Sequence, residues 1–346
     1  MSGALLACGR NMNISTGYTF DDVLLVPKKS DIQSRDLIDL SVHLGKGIQL
    51  DIPVVSANMT NVTGPLMART IASLGGLAIL HRFVDTEEEF VKQFRNATDY
   101  DCNLFNHVGA SVGVQERDRK WVDAIVGAGC RILCVDVAHG HHTNCLKMCE
   151  YIAQTYPSVL LIGGNVATPE GAVDLMNAGV DVGKCGCGGG SLCSTRIETG
   201  NGVPQLSALD DIYKSLNKCS MKILADGGLK KPGDLTKCLC FSHAVMLGNL
   251  LAGTDEAPGD IILVDGKQFK QYAGSSTHKS RHVEGVIGLV PYRGPVKQVI
   301  LKLMEGLRSG MSYQGSVNLV ELRNDPRFVA ITNAGLIESK PHDVRY

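Results

Sequence analysis

Eight short runs of apolar, mostly β-branched residues recur along the chain, each ending in small or polar residues, and that number constrains the fold more than any other feature. They are PVVSAN (53–58), LAILH (77–81), VGASVGV (108–114), ILCVDVA (132–138), VLLIGGNV (159–166), VDVGKCG (180–186), MKILADGG (221–228) and HAVMLGN (243–249). Segments with apolar residues at helical spacing lie between them: PLMARTIASL (65–74), KWVDAIVGA (120–128), NCLKMCEYIAQTY (144–156) and PEGAVDLMNAG (169–179). Runs that are apolar throughout are buried on both faces, the mark of a parallel sheet. An open doubly wound sheet more often has five or six strands, so eight βα units predict an α/β fold of the closed (β/α)8 TIM-barrel type. We expect one domain over 1–346, with the barrel core at about 53–310.

Helix starts are well marked. Thr86 with Glu89 fits a capping box, and Thr168 before Pro169 fits an N-cap with proline at the first helical position. In a barrel the functional groups collect at the C-terminal strand ends. Those ends carry Asn58, Asp136, Asn165, Asp226-Gly227-Gly228 and Gly248-Asn249, with Cys193 just past the sixth strand. The irregular stretch 251–296 precedes a last amphipathic helix, VKQVILKLMEGL (296–307), and predicts a mobile flap at about 260–294 over the barrel mouth.

Composition narrows the partners. Net charge is −1 and the longest basic runs are pairs such as Lys28-Lys29 and Lys230-Lys231, which excludes nucleic acid as an expected ligand. The first fifteen residues hold too short an apolar run for a signal peptide or membrane anchor, so no membrane partner and a cytoplasmic location are expected. Twelve cysteines in a chain of 346 residues then read as reduced thiols. Cys185, Cys187 and Cys193 give C-x-C-x5-C, and Cys238 with Cys240 gives C-x-C, neither a usual zinc pattern. Strand alternation sends Cys185 and Cys187 to one face, consistent with core packing. The His139, His141 and His142 cluster reads as a solvated or substrate-facing loop rather than a ligand set.

The glycine-rich stretch KCGCGGGSLCSTRIETGNGVPQ (184–205) follows a strong strand and has no low-complexity flank, which argues against a linker. It reads as a loop presenting Cys193 at the barrel mouth, with backbone N–H groups able to cradle a phosphate and hold an electrophile against a thiolate. The ADGG and LGN turns lie where barrels bind phosphate, after strands seven and eight. Asp226 beside them can accept hydrogen bonds from ribose hydroxyls.

With these motifs in view, the chain resembles the IMP dehydrogenase/GMP reductase superfamily over nearly its whole length. The matching stretches include YTFDDVLLVPKKSDI (18–32), GGNVATPEGA (163–172), GGGSLCSTRIETGNGVPQLSA (188–208), ILADGGLKKPGD (223–234) and VEGVIGLVPYRGPV (283–296). The resemblance implies a homotetrameric oxidoreductase acting on a purine nucleotide monophosphate, GMP or IMP. Cys193 would attack purine C2, with Thr195 and Glu284 handling protons. Ser191, Asp226, Gly228 and Gly248 match phosphate and ribose contacts. Asn58, Asn249, Tyr272, Ser276 and Arg281 complete the implied substrate set. Asp136, with Ala138 and Asn165, matches the nicotinamide riboside side. A potassium ion held by the carbonyls of Gly186, Gly188 and Cys193 is a further implication, since the dehydrogenases use loop carbonyls in this way.

The two branches differ in the fate of the shared covalent adduct. Dehydrogenases hydrolyse it with an Arg-Tyr pair in a longer flap, whereas SSTHKSRHV (275–283) contains no tyrosine. Arg281, Asn58 in SANM and Tyr272 to Ser276 follow the reductase pattern, and the segment 86–107 leaves no room for the usual regulatory insert. The tail ITNAGLIESKPHDV (331–344) resembles the dehydrogenase. Gly189, Thr60 and Asn249 depart from both branches. The expectation is a GMP reductase using NADPH. The alternatives are an IMP dehydrogenase using NAD and a nucleotide-binding homologue without turnover.

Overall fold

The computed structural model describes residues 14–99, 101–216, 219–274 and 287–341. The eight predicted strands form one closed, all-parallel barrel. They are β1 Val54–Ser56, β2 Leu77–Leu80, β3 Val108–Val112, β4 Ile132–Asp136, β5 Leu160–Val166, β6 Val182–Cys185, β7 Lys222–Asp226 and β8 Ala244–Leu247. Closure is made between β8 and β1, with Val245 opposite Val54 and Leu247 opposite Ser56. Every residue of β1, β2, β3, β6 and β8 is buried, which is why these runs show no polar alternation.

Eight helices surround the ring: α1 Pro65–Ser73, α2 Glu87–Thr98, α3 Glu116–Gly127, α4 Thr143–Thr155, α5 Pro169–Asn177, α6 Gln205–Leu216, α7 Pro232–Leu239 and α8 Val296–Gln314. α1 buries Met67, Ala68, Ile71 and Ala72, the stripe its spacing predicts. Thr168 caps α5 by accepting from Gly171 N. At α2 the Thr86 hydroxyl accepts from Glu89 N, but the Glu89 carboxylate reaches back to Asp85 N at 3.2 Å, one residue before the cap. α8 runs seven residues beyond the predicted 307 and passes through Gly310 without a break. A Cβ at Gly306 would collide with Pro232, and one at Gly310 with Thr236, so these glycines let α8 lie close on α7.

Between β8 and α8 a three-stranded antiparallel sheet, Ile261–Val264, Lys267–Ala273 and Ile287–Pro291, stands at the barrel mouth. Lys270 anchors it: the buried ammonium donates to the carbonyls of Thr254 at 3.0 Å and Ala257 at 2.5 Å. Ser276, Arg281 and Glu284 lie outside the described residues. Among the described residues no helix is long and apolar enough to cross a membrane.

At one side of the barrel, Val23–Leu25 pairs antiparallel with Phe328–Ala330. Lys237 of α7 donates to Phe20 O at 2.7 Å, while Lys230 and Lys231 bind the Asp21 carboxylate at 2.9 and 3.0 Å. Hydrogen bonds from Lys230 and then Lys231 hold the Asp21 carboxyl down at about 2. A folded pKa below the unfolded 3.8 gives stabilisation that is complete well above that value and is lost as pH falls through it toward about 2. Asp21→Asn should therefore lower unfolding free energy at pH 7 by about 1 kcal/mol, the lysines being partly exposed. Urea unfolding of the two proteins should converge below pH 4. A gap unchanged by pH would mean that the lysines do not act on Asp21 by charge.

Candidate active site

The C-terminal strand ends open into a cavity of about 1040 Å3. Asp136 ends β4, Asn165 lies near the end of β5, Asp226 ends β7, and Gly248 with Asn249 follows β8; all line it, as do Ala138, Ser191, Gly228 and Tyr272. Asn58, expected to contact substrate, lies beneath the lining at 4% exposure, where its side chain helps hold the Asp136 carboxyl below the usual range.

The Cys193 loop is built by close approach. Gly186 leaves β6 at φ +151°, where a Cβ would collide with the Asp226 carbonyl, so only glycine passes there. From below, Gln205 Nε2 donates to Cys185 O at 2.9 Å. Cys187 bridges to Val203, and Arg196 closes the loop by donating to both carbonyls, at 3.3 and 2.7 Å respectively. The strand ends at Cys185, so Cys187 is half-buried and lines the cavity instead of packing in the core beside Cys185. A turn from Cys193 N to Gly190 O, 3.1 Å, places the exposed thiol, which donates to Thr195 Oγ1 at 3.2 Å. Opposite, Gly227 and Gly228 take φ of +96° and +84°, and Gly227 abuts the backbone of Gly189 and Gly190. Two glycine backbones facing each other form a wall without side chains, suited to a phosphate.

The other thiols differ in kind. Burial pushes Cys130, Cys185 and Cys238 up to about 12, which leaves them protonated and inert, whereas Cys193 opens to the cavity. The histidine loop is occupied by structure: His141 Nε2 lies 2.8 Å from Asp174, and His142 accepts from Asn144 N at the start of α4. Among the described residues no group of three or more histidine, cysteine or acidic side chains is arranged to hold a metal. Of the carbonyls expected to bind potassium, Gly186 O accepts from Asn165 Nδ2 at 3.0 Å.

Tyr272 projects from the mouth sheet into the space that Gly248 leaves, donating to Met59 Sδ at 3.6 Å. Burial pushes its phenol up, so it acts as a neutral donor. Arg293 donates to Asn249 Oδ1 at 3.3 Å.

Sequence reasoning missed two parts of the cavity. One is Lys184, buried on its floor, with Nζ 2.5 Å from Asp136 and 3.1 Å from Asp226. Asn165 Nδ2 reaches the same Asp226 oxygen at 2.9 Å. Burial disfavours the charge on Lys184, but the two carboxylates overcome it and push its pKa up; burial likewise opposes ionisation of Asp136, and Lys184 holds it below the usual range. A lysine inside the apolar run VDVGKCG was the available signal. The other part is a lobe past β2 and β3, where Arg82 stacks 4.9 Å over Phe83 and Trp121 packs against Phe90.

The model of the IMP dehydrogenase/GMP reductase domain matches residues 17–342. Inosine-5'-monophosphate dehydrogenase of Borreliella burgdorferi is 36% identical over 94% of this chain and 96% of its own length. The dehydrogenase of Bacillus subtilis is 33% identical over 95% and 96%, and the GMP reductase of Leishmania donovani 30% over 98% and 99%. These alignments run over 392, 469 and 490 residues, longer than the chain, so relatives of both names carry segments with no counterpart here. Barrel, cysteine loop and glycine wall agree with that match: the chain belongs to the IMP dehydrogenase/GMP reductase family of oxidoreductases.

Proposed function

We propose that the chain is a GMP reductase, converting GMP to IMP and ammonia at the expense of NADPH. The observation that carries the covalent chemistry is the exposed Cys193 thiol, 3.2 Å from the Thr195 hydroxyl in the cavity where Asp136 and Asp226 meet. Attack of the Cys193 thiolate on purine C2 forms the C–S bond, and the exocyclic amine leaves as ammonia after taking a proton relayed through Thr195 and Glu284. NADPH, when bound beside Asp136, would supply the hydride that C2 needs. The C–S bond then breaks, which returns the thiolate and leaves IMP. The glycine wall takes the phosphate, and Asp226 accepts from the ribose hydroxyls.

The direction rests on SSTHKSRHV (275–283), which supplies no Arg-Tyr pair to activate water against the adduct. A second reading, an IMP dehydrogenase using NAD, is favoured by the names and higher identity of relatives such as those of Borreliella and Bacillus. In either case we place the protein in the cytoplasm as a homotetramer working on free purine nucleotides, in line with the family resemblance.

Absorbance of the reduced nicotinamide separates the readings. GMP with NADPH should lose signal and release ammonia, and IMP with NAD should stay silent; the reverse pattern makes the chain a dehydrogenase. Silence in both, with a 2-halogenated purine nucleotide still trapped on Cys193, would make it a binder without turnover.

Cys193→Ser should lower kcat by about 10³-fold or more while leaving GMP affinity within a few-fold. Isothermal titration beside the rate assay reads both quantities. Near-normal turnover in the Cys193→Ser variant would rule out the covalent route.

A further inference from the structure

The cavity floor holds an ion arrangement that the covalent step at Cys193 does not use. All four residues of β6 are buried, and Lys184 among them is 3% exposed. A buried ammonium persists only where anions meet its hydrogens. Here they come from two strands that are not neighbours in the ring, Asp136 from β4 and Asp226 from β7. Both carboxylates touch one nitrogen, which puts them within the roughly 6 Å at which one negative charge suppresses ionisation of another. Asn165 gives Asp226 a neutral donor, and Arg82 acts on Asp136 through space. The other titratable groups nearby are the thiols of Cys134, Cys145 and Cys185 and the phenol of Tyr272. Burial pushes Cys134, Cys185 and Tyr272 up, so they add no charge at neutral pH.

We propose that Lys184 is a positioning residue: its shared ammonium keeps Asp136 and Asp226 charged side by side, so that one cavity presents a carboxylate to each of its two ligands. That these ligands are a dinucleotide and a purine nucleotide rests on the reading above; the ion tie does not.

Lys184→Met keeps an unbranched, apolar stem one atom shorter and removes the charge. In the folded variant one carboxyl then takes up a proton, with a pKa above its unfolded value. Its contribution to stability is therefore present at low pH and lost as pH rises. In the absence of ligand, the melting temperature should lie at least about 5 °C below wild type at pH 8, and the deficit should shrink by half or more at pH 5. Adding Asp136→Asn to Lys184→Met should raise the pH 8 value, because the repulsion is gone, and Lys184→Arg should keep the wild-type pH profile. A deficit equal at every pH and unrelieved by Asp136→Asn would overturn the proposal, leaving Lys184 as packing. If Lys184→Met does not fold at any pH, recovery in the double variant supports the tie and an equally unfolded double variant overturns it.

Ligand binding is a separate readout. Trp121, the sole tryptophan of the sequence, lines the cavity, so its fluorescence can follow NADP+ addition. Lys184→Met should weaken NADP+ and GMP at pH 8 by about tenfold or more each. Full affinity in that variant would overturn the positioning role. Wild-type protein that binds neither nucleotide would sink the functional reading instead, while the melting data would still decide the ion tie.

Discussion

Closure of the ring between β8 and β1 is the constraint on which the rest of the molecule depends. The pairing of Val245 with Val54 closes the ring and leaves no strand edge open to another chain. It also aims eight C-terminal ends at one space. Asp136 and Asp226, ninety residues apart in the chain, thereby meet on one lysine. An open sheet would have spread the same side chains along a crevice.

The cysteine loop shows how a mobile-looking sequence becomes a fixed one. Six glycines from 186 to 202 would leave a free loop with many conformations. Arg196 and Gln205 remove that freedom by holding the carbonyls of Cys185, Cys187 and Val203. Glycine then answers local needs, such as the approach of Gly186 to Asp226 or of Gly188 to the Arg196 side chain. The thiol is thus exposed yet placed, which a nucleophile requires for attack at one carbon.

Much of this was legible in the residues. The eight strands were readable because both faces of each are buried, so apolar runs needed no alternation to be recognised. The caps at Thr168 and Thr86 were legible from local chemistry alone. The end of α8 was not, since Gly310 reads as a stop until Thr236 of α7 is packed against it. Cys187 was misplaced because strand alternation was carried one step past the last paired residue. Lys184 stayed hidden for a related reason: inside an apolar run a single lysine reads as an exposed end, and only the ring brings two carboxylates to it. Contacts made across the barrel have no periodicity for the sequence to display.

The distribution of identity along such a chain also bears on how its reaction is assigned. On the reading proposed above, strands, cysteine loop and glycine wall would serve an adduct common to both branches, so their similarity to a dehydrogenase or a reductase weighs on the shared half of the chemistry. The outcome depends on whether the adduct meets an activated water. On the same reading, that falls to a few groups in the stretch of sequence between Gly274 and Ile287. An overall identity of 36% or 30% averages those few positions with hundreds that both reactions need alike. The chemical content of nine residues, SSTHKSRHV, therefore counts for more in the assignment than the difference between the two percentages.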